Sequence, residues 1–290
     1  MEYLQEEVTA VQWYPGHMKK TERLIEKNLP LVDIVAEICD ARIPVSSRNP
    51  VLETLLKSKP RFLLLNKNDM ADPDATRKWL EYYKQQSIPA LAVDCKSGNG
   101  VNNVLPLVRN ILKERKLKFS TKNFGGIIRM MAVGVPNSGK SSFINRLSKR
   151  KSTRVEDRPG VTRGEQWVGV GDDVQLLDMP GVLAPKFDDP VVGERLAFTG
   201  AVKDAVINIE LLAMRLLEIL NTQYPSALKN RYKLDAPLDT NNIGLLIAVG
   251  KKRGMLISGG EVDLERAANM ILDEFRGGLL GRITLDCEAI

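Results

Sequence analysis

The sequence predicts an α/β protein, a mostly parallel sheet flanked by helices, followed by an all-helical C-terminal part. Two observations carry this. Up to about Pro190, short apolar runs rich in β-branched residues alternate with helical patterns, as strand–helix–strand units require. Beyond it the strand signals fade and only helical periodicities remain. Strands are expected at Asp33–Ile38, Arg61–Leu65, Ala90–Val93, Ile127–Val133, Gln166–Val170 and Val174–Leu177. Helices are expected between them at Thr21–Asn28, Asn49–Leu56, Asp74–Gln85, Val101–Lys116 and Lys140–Leu147. The basic stretch from Lys113 to Gly126 ends in a glycine pair and reads as a surface linker. In the second part, Val206–Leu220, Pro225–Tyr232, Asn242–Lys251 and Leu264–Phe275 read as helices. The expected division is a sheet domain over residues 1–190, with an N-terminal extension over 1–30, and a helical domain over 191–290.

Composition agrees with two domains. The chain has 290 residues, of which 43% are hydrophobic, enough to bury a sizeable core. Lys and Arg exceed Asp and Glu by 42 − 36 = 6, a balance that suits an acidic partner such as RNA without requiring one. Cys39, Cys95 and Cys287 offer neither metal-ligand spacing nor a disulfide framework, so a reducing, cytoplasmic setting is expected. The acidic start lacks both an apolar signal core and the Arg-rich pattern of a transit peptide. No apolar run reaches the roughly 20 residues of a membrane span.

The chemistry concentrates in two motifs. Gly134-Val-Pro-Asn-Ser-Gly139-Lys140-Ser141 fits the phosphate-binding pattern G-x4-G-K-[ST], between an apolar strand and a helix that begins Ser142-Phe-Ile. Small residues are needed there because inward-turned backbone N–H groups must approach the phosphates. Gly134, Asn137, Ser138, Gly139, Lys140, Ser141 and Ser142 are the candidate phosphate-binding residues, with Lys140 as a point charge on the β- and γ-phosphates and the Ser141 hydroxyl suited to Mg²⁺. Asn66-Lys67-Asn68-Asp69 fits the guanine-reading N-K-x-D. The Asp69 carboxylate can accept from guanine N1–H and the exocyclic amine, Asn66 would brace the loop, and the Lys67 stem would lie over the ring. Asp94-Cys95-Lys96 stands where a backbone N–H can meet guanine O6, although the usual S-A-K is altered to D-C-K.

Three further elements complete the constellation. Asp178-Met-Pro-Gly181 sets a carboxylate where it can reach Mg²⁺ through water, and Gly181 can bring an N–H to the γ-phosphate. Thr162 offers a hydroxyl for the metal. In an ordinary GTPase the phosphate loop precedes the base reader, whereas here it follows. The order implies a circularly permuted P-loop GTPase domain, the old ends joined through the Lys113–Gly126 linker and new ends opened between the Asp178 motif and Asn66.

These motifs, together with Trp13-Tyr-Pro-Gly-His17-Met18, Asp40-Ala-Arg-Ile-Pro, Ser47-Arg-Asn-Pro50, Arg158-Pro-Gly-Val-Thr162 and Ala201-Val-Lys-Asp204, resemble the circularly permuted ribosome biogenesis GTPase A family, known also as YlqF. The resemblance runs almost from end to end. It implies GTP hydrolysis coupled to late maturation of the large ribosomal subunit, with the helical domain contacting ribosomal RNA. Val182 stands where many GTPases carry the water-orienting glutamine, so that role must come from elsewhere. His17 is the only histidine, its imidazole can accept a proton near neutral pH, and the resemblance points to it as catalytic. Asn137 matches the position where potassium-stimulated GTPases hold a monovalent cation, so K⁺ is expected beside Mg²⁺. Lys251, Lys252, Arg253, Arg276 and Arg282, with the Lys149-Arg-Lys151 run, could bind phosphates without reading sequence. A monomer is the expected state. The alternatives are a GTPase switch with a protein effector, and an RNA-binding scaffold whose affinity the nucleotide controls.

Overall fold

The computed structural model of the chain describes residues 16–114, 126–149, 166–184, 187, 189–235 and 237–286. Two compact units divide it: described residues between Trp13 and Lys186 with Thr284–Asp286, and Phe187–Ile283.

The first unit is built on six strands, β1 Ile34–Asp40, β2 Arg61–Asn66, β3 Ala90–Ala92, β4 Ile128–Val133, β5 Gln166–Val170 and β6 Val174–Asp178. Their spatial order is β3-β2-β1-β4-β6-β5, parallel except for the β5–β6 hairpin. All seven residues of β1 are buried, as expected for an interior strand of a sheet covered on both faces. One face packs Ile34, Ala36, Ile38, Phe62, Leu64, Met130 and Ala132 against Val104, Val108 and Ile111 of α4 (Val104–Glu114) and Phe143 and Ile144 of α5 (Lys140–Lys149). The other meets Ile25 of α1 (Gly16–Asn28), Leu52 of α2 (Pro50–Leu55), and Trp79 and Tyr83 of α3 (Pro73–Gln85). The result is three layers, helices on both sides of the sheet.

Local sequence sets the helix starts. Asn49 accepts from Val51 N–H ahead of Pro50, and Asp72 accepts from Asp74 and Ala75 N–H ahead of Pro73. The buried positions of α4, Val104, Val108, Ile111 and Leu112, recur at helical spacing.

The second unit holds α6 (Pro190–Phe198), α7 (Ile209–Gln223), α8 (Pro225–Tyr232), α9 (Asn242–Lys252) and α10 (Leu264–Arg276). The central α7 buries Leu212, Ala213, Leu216, Leu217 and Leu220 and packs against α9 and α10. Glu274 of α10 is buried and accepts from Arg231 at 2.6 and 2.9 Å and from Arg253. The carboxylate thus ties the end of α8 and the end of α9 to α10. Sequence reading does not identify α6: its Val191-Val192-Gly193 core has low helix propensity. The Asp189 N-cap with Pro190 at N1 was the available signal.

Two features depart from the expected organisation. Thr284, Leu285 and Asp286, expected with the helices, pack on the sheet unit instead, because their polar groups are satisfied there. Val101–Asn103 is a 3-10 turn ahead of α4 rather than part of it.

Candidate functional site

The motifs converge on one edge. β4 leads into the phosphate loop, β2 into Asn66-Lys-Asn-Asp69, β3 into Asp94-Cys95-Lys96, and β6 ends at Asp178. All four strands are mutually parallel, so these loops lie outside the carboxyl ends, where open α/β sheets bind ligands.

The phosphate loop runs from Gly134 to the first turn of α5, an N-terminus whose N–H groups suit an anion. Gly139 has φ +97°, and a Cβ on it would stand 2.1 Å from Asn66 Nδ2, so glycine is required by conformation and by close approach. The Ser138 hydroxyl donates to Val135 O at 2.9 Å and shapes the turn. Asn137 is exposed with φ +58°, a conformation asparagine tolerates. Ser141 and Ser142 are exposed at the start of α5. Lys140 is buried and curls over the loop, donating to Val135 O at 2.9 Å and Gly134 O at 3.3 Å. Burial lowers its pKa to about 8, against the opposing pull of Asp178.

The Asn66–Asp69 segment is joined to this loop through the Asn66 side chain. Buried Asn66 donates through Nδ2 to Ser138 O at 2.9 Å and accepts through Oδ1 from Cys95 N–H at 3.1 Å, so it bridges three motifs. Asp69 is exposed, its carboxylate accessible to a base. Lys67, at φ +62°, donates through Nζ to Asp40 Oδ2 at 2.8 Å. Asp40 in turn accepts a two-point contact from Arg42, Nε to Oδ1 at 3.0 Å and Nη2 to Oδ2 at 2.8 Å, with both residues buried. The burial cost on Asp40 is outweighed by Arg42 and Lys67, which hold the carboxyl well below the ordinary range.

In the Asp94-Cys95-Lys96 turn the carboxylate of Asp94 accepts from Lys96 N–H at 2.7 Å and Ser97 N–H at 3.1 Å, which explains why aspartate suits the place of the usual serine. The Cys95 side chain belongs to the core, and burial with nearby Asp94 pushes its thiol up to about 12. Lys96 is exposed. Arg146 of α5 donates to Cys95 O at 3.0 Å and to Lys96 O, bracing the turn from the phosphate side. Sequence reading missed this role for Arg146, since a lone arginine in a helix carries no motif, and it noted the Asp40-Ala-Arg-Ile-Pro stretch without giving Asp40 and Arg42 a role.

The remaining segment crosses the same edge. Asp178 pairs across the sheet with Ala132 and is half-buried; burial raises its pKa while Lys140 opposes the rise. Gly181 lies against the phosphate loop, where a Cβ would stand 2.8 Å from Pro136 Cα. Val182 N–H donates to Gly134 O at 3.2 Å, its carbonyl accepts from Asn49 Nδ2 at 3.0 Å, and its side chain is fully buried with Ile25, Leu52 and Val133. It therefore faces the core and not the phosphates. The backbone of His17 belongs to α1, but its side chain, like the whole of Thr162 and the Arg150-Lys151 pair, lies outside the described residues. Two of the cations expected to face RNA are otherwise engaged: Arg253 contacts Glu274, and Arg276 binds Asp204 at 2.7 Å through two nitrogens. Lys251, Lys252 and Arg282 are exposed.

Residues 129–232 match the family described as "50S ribosome-binding GTPase", a span that starts at the phosphate-loop strand and excludes the upstream base reader. The ribosome biogenesis GTPase A of Priestia megaterium is 45% identical over 96% of this chain and 96% of that protein. The protein of the same name from Bacillus licheniformis is 44% identical over 96% and 98%. Among solved structures, GDP-bound YlqF, reported for "TM", superposes with a TM-score of 0.67 at 26% identity, covering 92% of this chain and 100% of that one. With the phosphate loop, the reversed base reader and identity near one-half across almost the whole length, the chain belongs to the ribosome biogenesis GTPase A family.

Proposed function

We propose that this chain binds GTP, hydrolyses it to GDP and phosphate, and serves assembly of the large ribosomal subunit in the cytoplasm. The observation that carries this reading is the Asn66 bridge: two motifs 72 residues apart, in reversed order, share one buried side chain and so form one nucleotide pocket. Membership of a ribosome biogenesis family supports the ribosomal setting.

Roles follow from chemistry. Lys140 supplies positive charge beside the loop amides, Gly181 N–H is set to meet the γ-phosphate, and Asp69 selects guanine, with Asn66, Lys67 and the Asp94-Cys95-Lys96 turn shaping the base site. Ser141 and Asp178 are hard oxygen donors at adjacent strand and helix ends, which fits Mg²⁺ held by few protein ligands plus phosphates; no cluster of three or more acidic, His or Cys ligands is found among the described residues, and this mode needs none. When bound, Mg²⁺ neutralises charge on the β- and γ-phosphates. Thr162 is the further metal ligand of this proposal. Asn137 is the K⁺ ligand, and His17 the group that orients or deprotonates water, since Val182 is turned into the core. The exposed Lys251, Lys252 and Arg282 favour ribosomal RNA as the contact of the helical unit. No helix among the described residues is long and apolar enough to cross a membrane.

The test is GTP turnover by the purified protein in K⁺ buffer with and without large ribosomal subunits. Turnover should rise on adding subunits and fall when Na⁺ replaces K⁺ or when His17 is changed to alanine. Unchanged turnover with subunits would remove the ribosomal role. Equal rates in K⁺ and Na⁺, or full activity in His17→Ala, would remove those two assignments separately.

A further inference from the structure

After α10, the segment Thr284–Asp286 belongs to the sheet unit and is buried there, each residue at most 2% exposed. Burial at that level demands partners for the polar groups, and several of them lie on the chain segments to either side of Asn66–Asp69. Leu285 N–H donates to Arg42 O at 2.7 Å. The Asp286 carboxylate accepts from Val45 N–H and Ser46 N–H, both at 2.8 Å, and from the Ser46 hydroxyl at 2.7 Å. Asp286 O accepts from Trp79 Nε1 at 2.8 Å, and Thr284 Oγ1 accepts from Asp72 N–H at 3.0 Å.

Those contacts fall on two segments. Residues 40–47 contain Asp40 and Arg42, and Asp40 holds the Lys67 ammonium at 2.8 Å. Asp72 lies three positions after Asp69 and caps α3, whose Trp79 is fully buried. The geometry points to Thr284–Asp286 as a positioning strap for the guanine site. It fixes Lys67 through the Arg42–Asp40 pair and fixes Asp69 by pinning the start of α3. Its hydrogen bonds reach the segments that hold Lys67 and Asp69, so its effect falls on base recognition. The inference rests on the guanine-nucleotide reading of the pocket and specifies what holds that pocket's selective half in place.

The experiment measures affinity of the full chain for fluorescent GDP and for the inosine diphosphate analogue, which lacks the exocyclic amine that Asp69 reads. Asp286→Ala removes the anion holding Val45 and Ser46, and Thr284→Val is a milder variant that removes the hydroxyl accepting from Asp72 N–H. GDP affinity should fall about tenfold in Asp286→Ala and severalfold in Thr284→Val, with a smaller loss for the inosine nucleotide, so that selectivity narrows. Asp286→Asn, which keeps an acceptor toward Ser46, should recover part of the selectivity. A loss of stability alone would weaken both nucleotides equally. An unchanged selectivity ratio in folded Thr284→Val and Asp286→Ala overturns the proposal; if Asp286→Ala does not fold, Thr284→Val and Asp286→Asn decide it. Failure of the wild-type chain to bind GDP at all would instead overturn the nucleotide reading.

Discussion

Replacing Asn66 with alanine removes a side chain that touches the phosphate loop and the Asp94-Cys95-Lys96 turn together. Two groups lose their partner, Ser138 O and Cys95 N–H, at a site only 3% exposed. A buried polar group left without a hydrogen bond costs about 1–3 kcal/mol. Water entering the vacated volume recovers part of this, so the expected loss of stability is about 2–4 kcal/mol for the pair. Because both loops also contact nucleotide in the proposed pocket, a loss of about 2 kcal/mol of pre-organisation would weaken GDP about thirtyfold. Equilibrium unfolding in urea reads the first quantity, and dissociation of a fluorescent GDP analogue reads the second. The reasoning is refuted if Asn66→Ala loses less than about 0.5 kcal/mol and releases GDP at the wild-type rate.

Val182→Gln should not restore a water-orienting glutamine. The amide would enter an apolar cluster at a fully buried position, costing about 1–3 kcal/mol; faster intrinsic GTP hydrolysis at undiminished stability would contradict the burial argument. Lys140 titrates near pH 8 in the free protein because burial disfavours its charge. Phosphates favour the ammonium, so nucleotide binding should take up a proton above that pH and affinity should decline as pH rises from about 8 to 9; calorimetry in buffers of different ionisation enthalpy checks it, and a buffer-independent heat would count against it. Glu274→Ala removes the carboxylate shared by Arg231 and Arg253. A broken buried ion pair costs about 3–5 kcal/mol, reduced here to about 2–3 because both arginines are a third exposed. Glu274 is raised by burial but lowered more by its Arg231 hydrogen bonds and its other neighbours, so the stability it contributes is present above its unfolded pKa and lost as pH falls through the lower folded value. Acid unfolding of the wild type and the variant should therefore converge only once the pH has fallen below the lowered folded pKa of Glu274.

Much of the strand–helix order was readable because each element is locally consistent. The mostly apolar β1, the Asp72-Pro73 and Asn49-Pro50 caps and the helical spacing in α4 need no distant partner to be recognised. Helix α6 escaped because its Val-Val-Gly sequence disfavours helix, and the Asp189 cap together with packing of Leu196, Ala197 and Phe198 stabilises it. Arg253 and Arg276 read as solvent-facing charge because sequence does not show that Glu274 and Asp204 lie within reach.

The motifs themselves, their reversed order and hence the permuted topology were determined by the chain alone, since glycine spacing and a carboxylate at a fixed offset are local requirements of phosphate and guanine chemistry. Tertiary structure decided which groups support them: Asn66 across to Ser138, Asp40 behind Lys67, Arg146 under the Cys95 turn, and Leu285 beside Arg42. Those contacts join positions from 27 to more than 200 residues apart. Their energies depend on burial and geometry that exist only once the sheet has brought its carboxyl ends together.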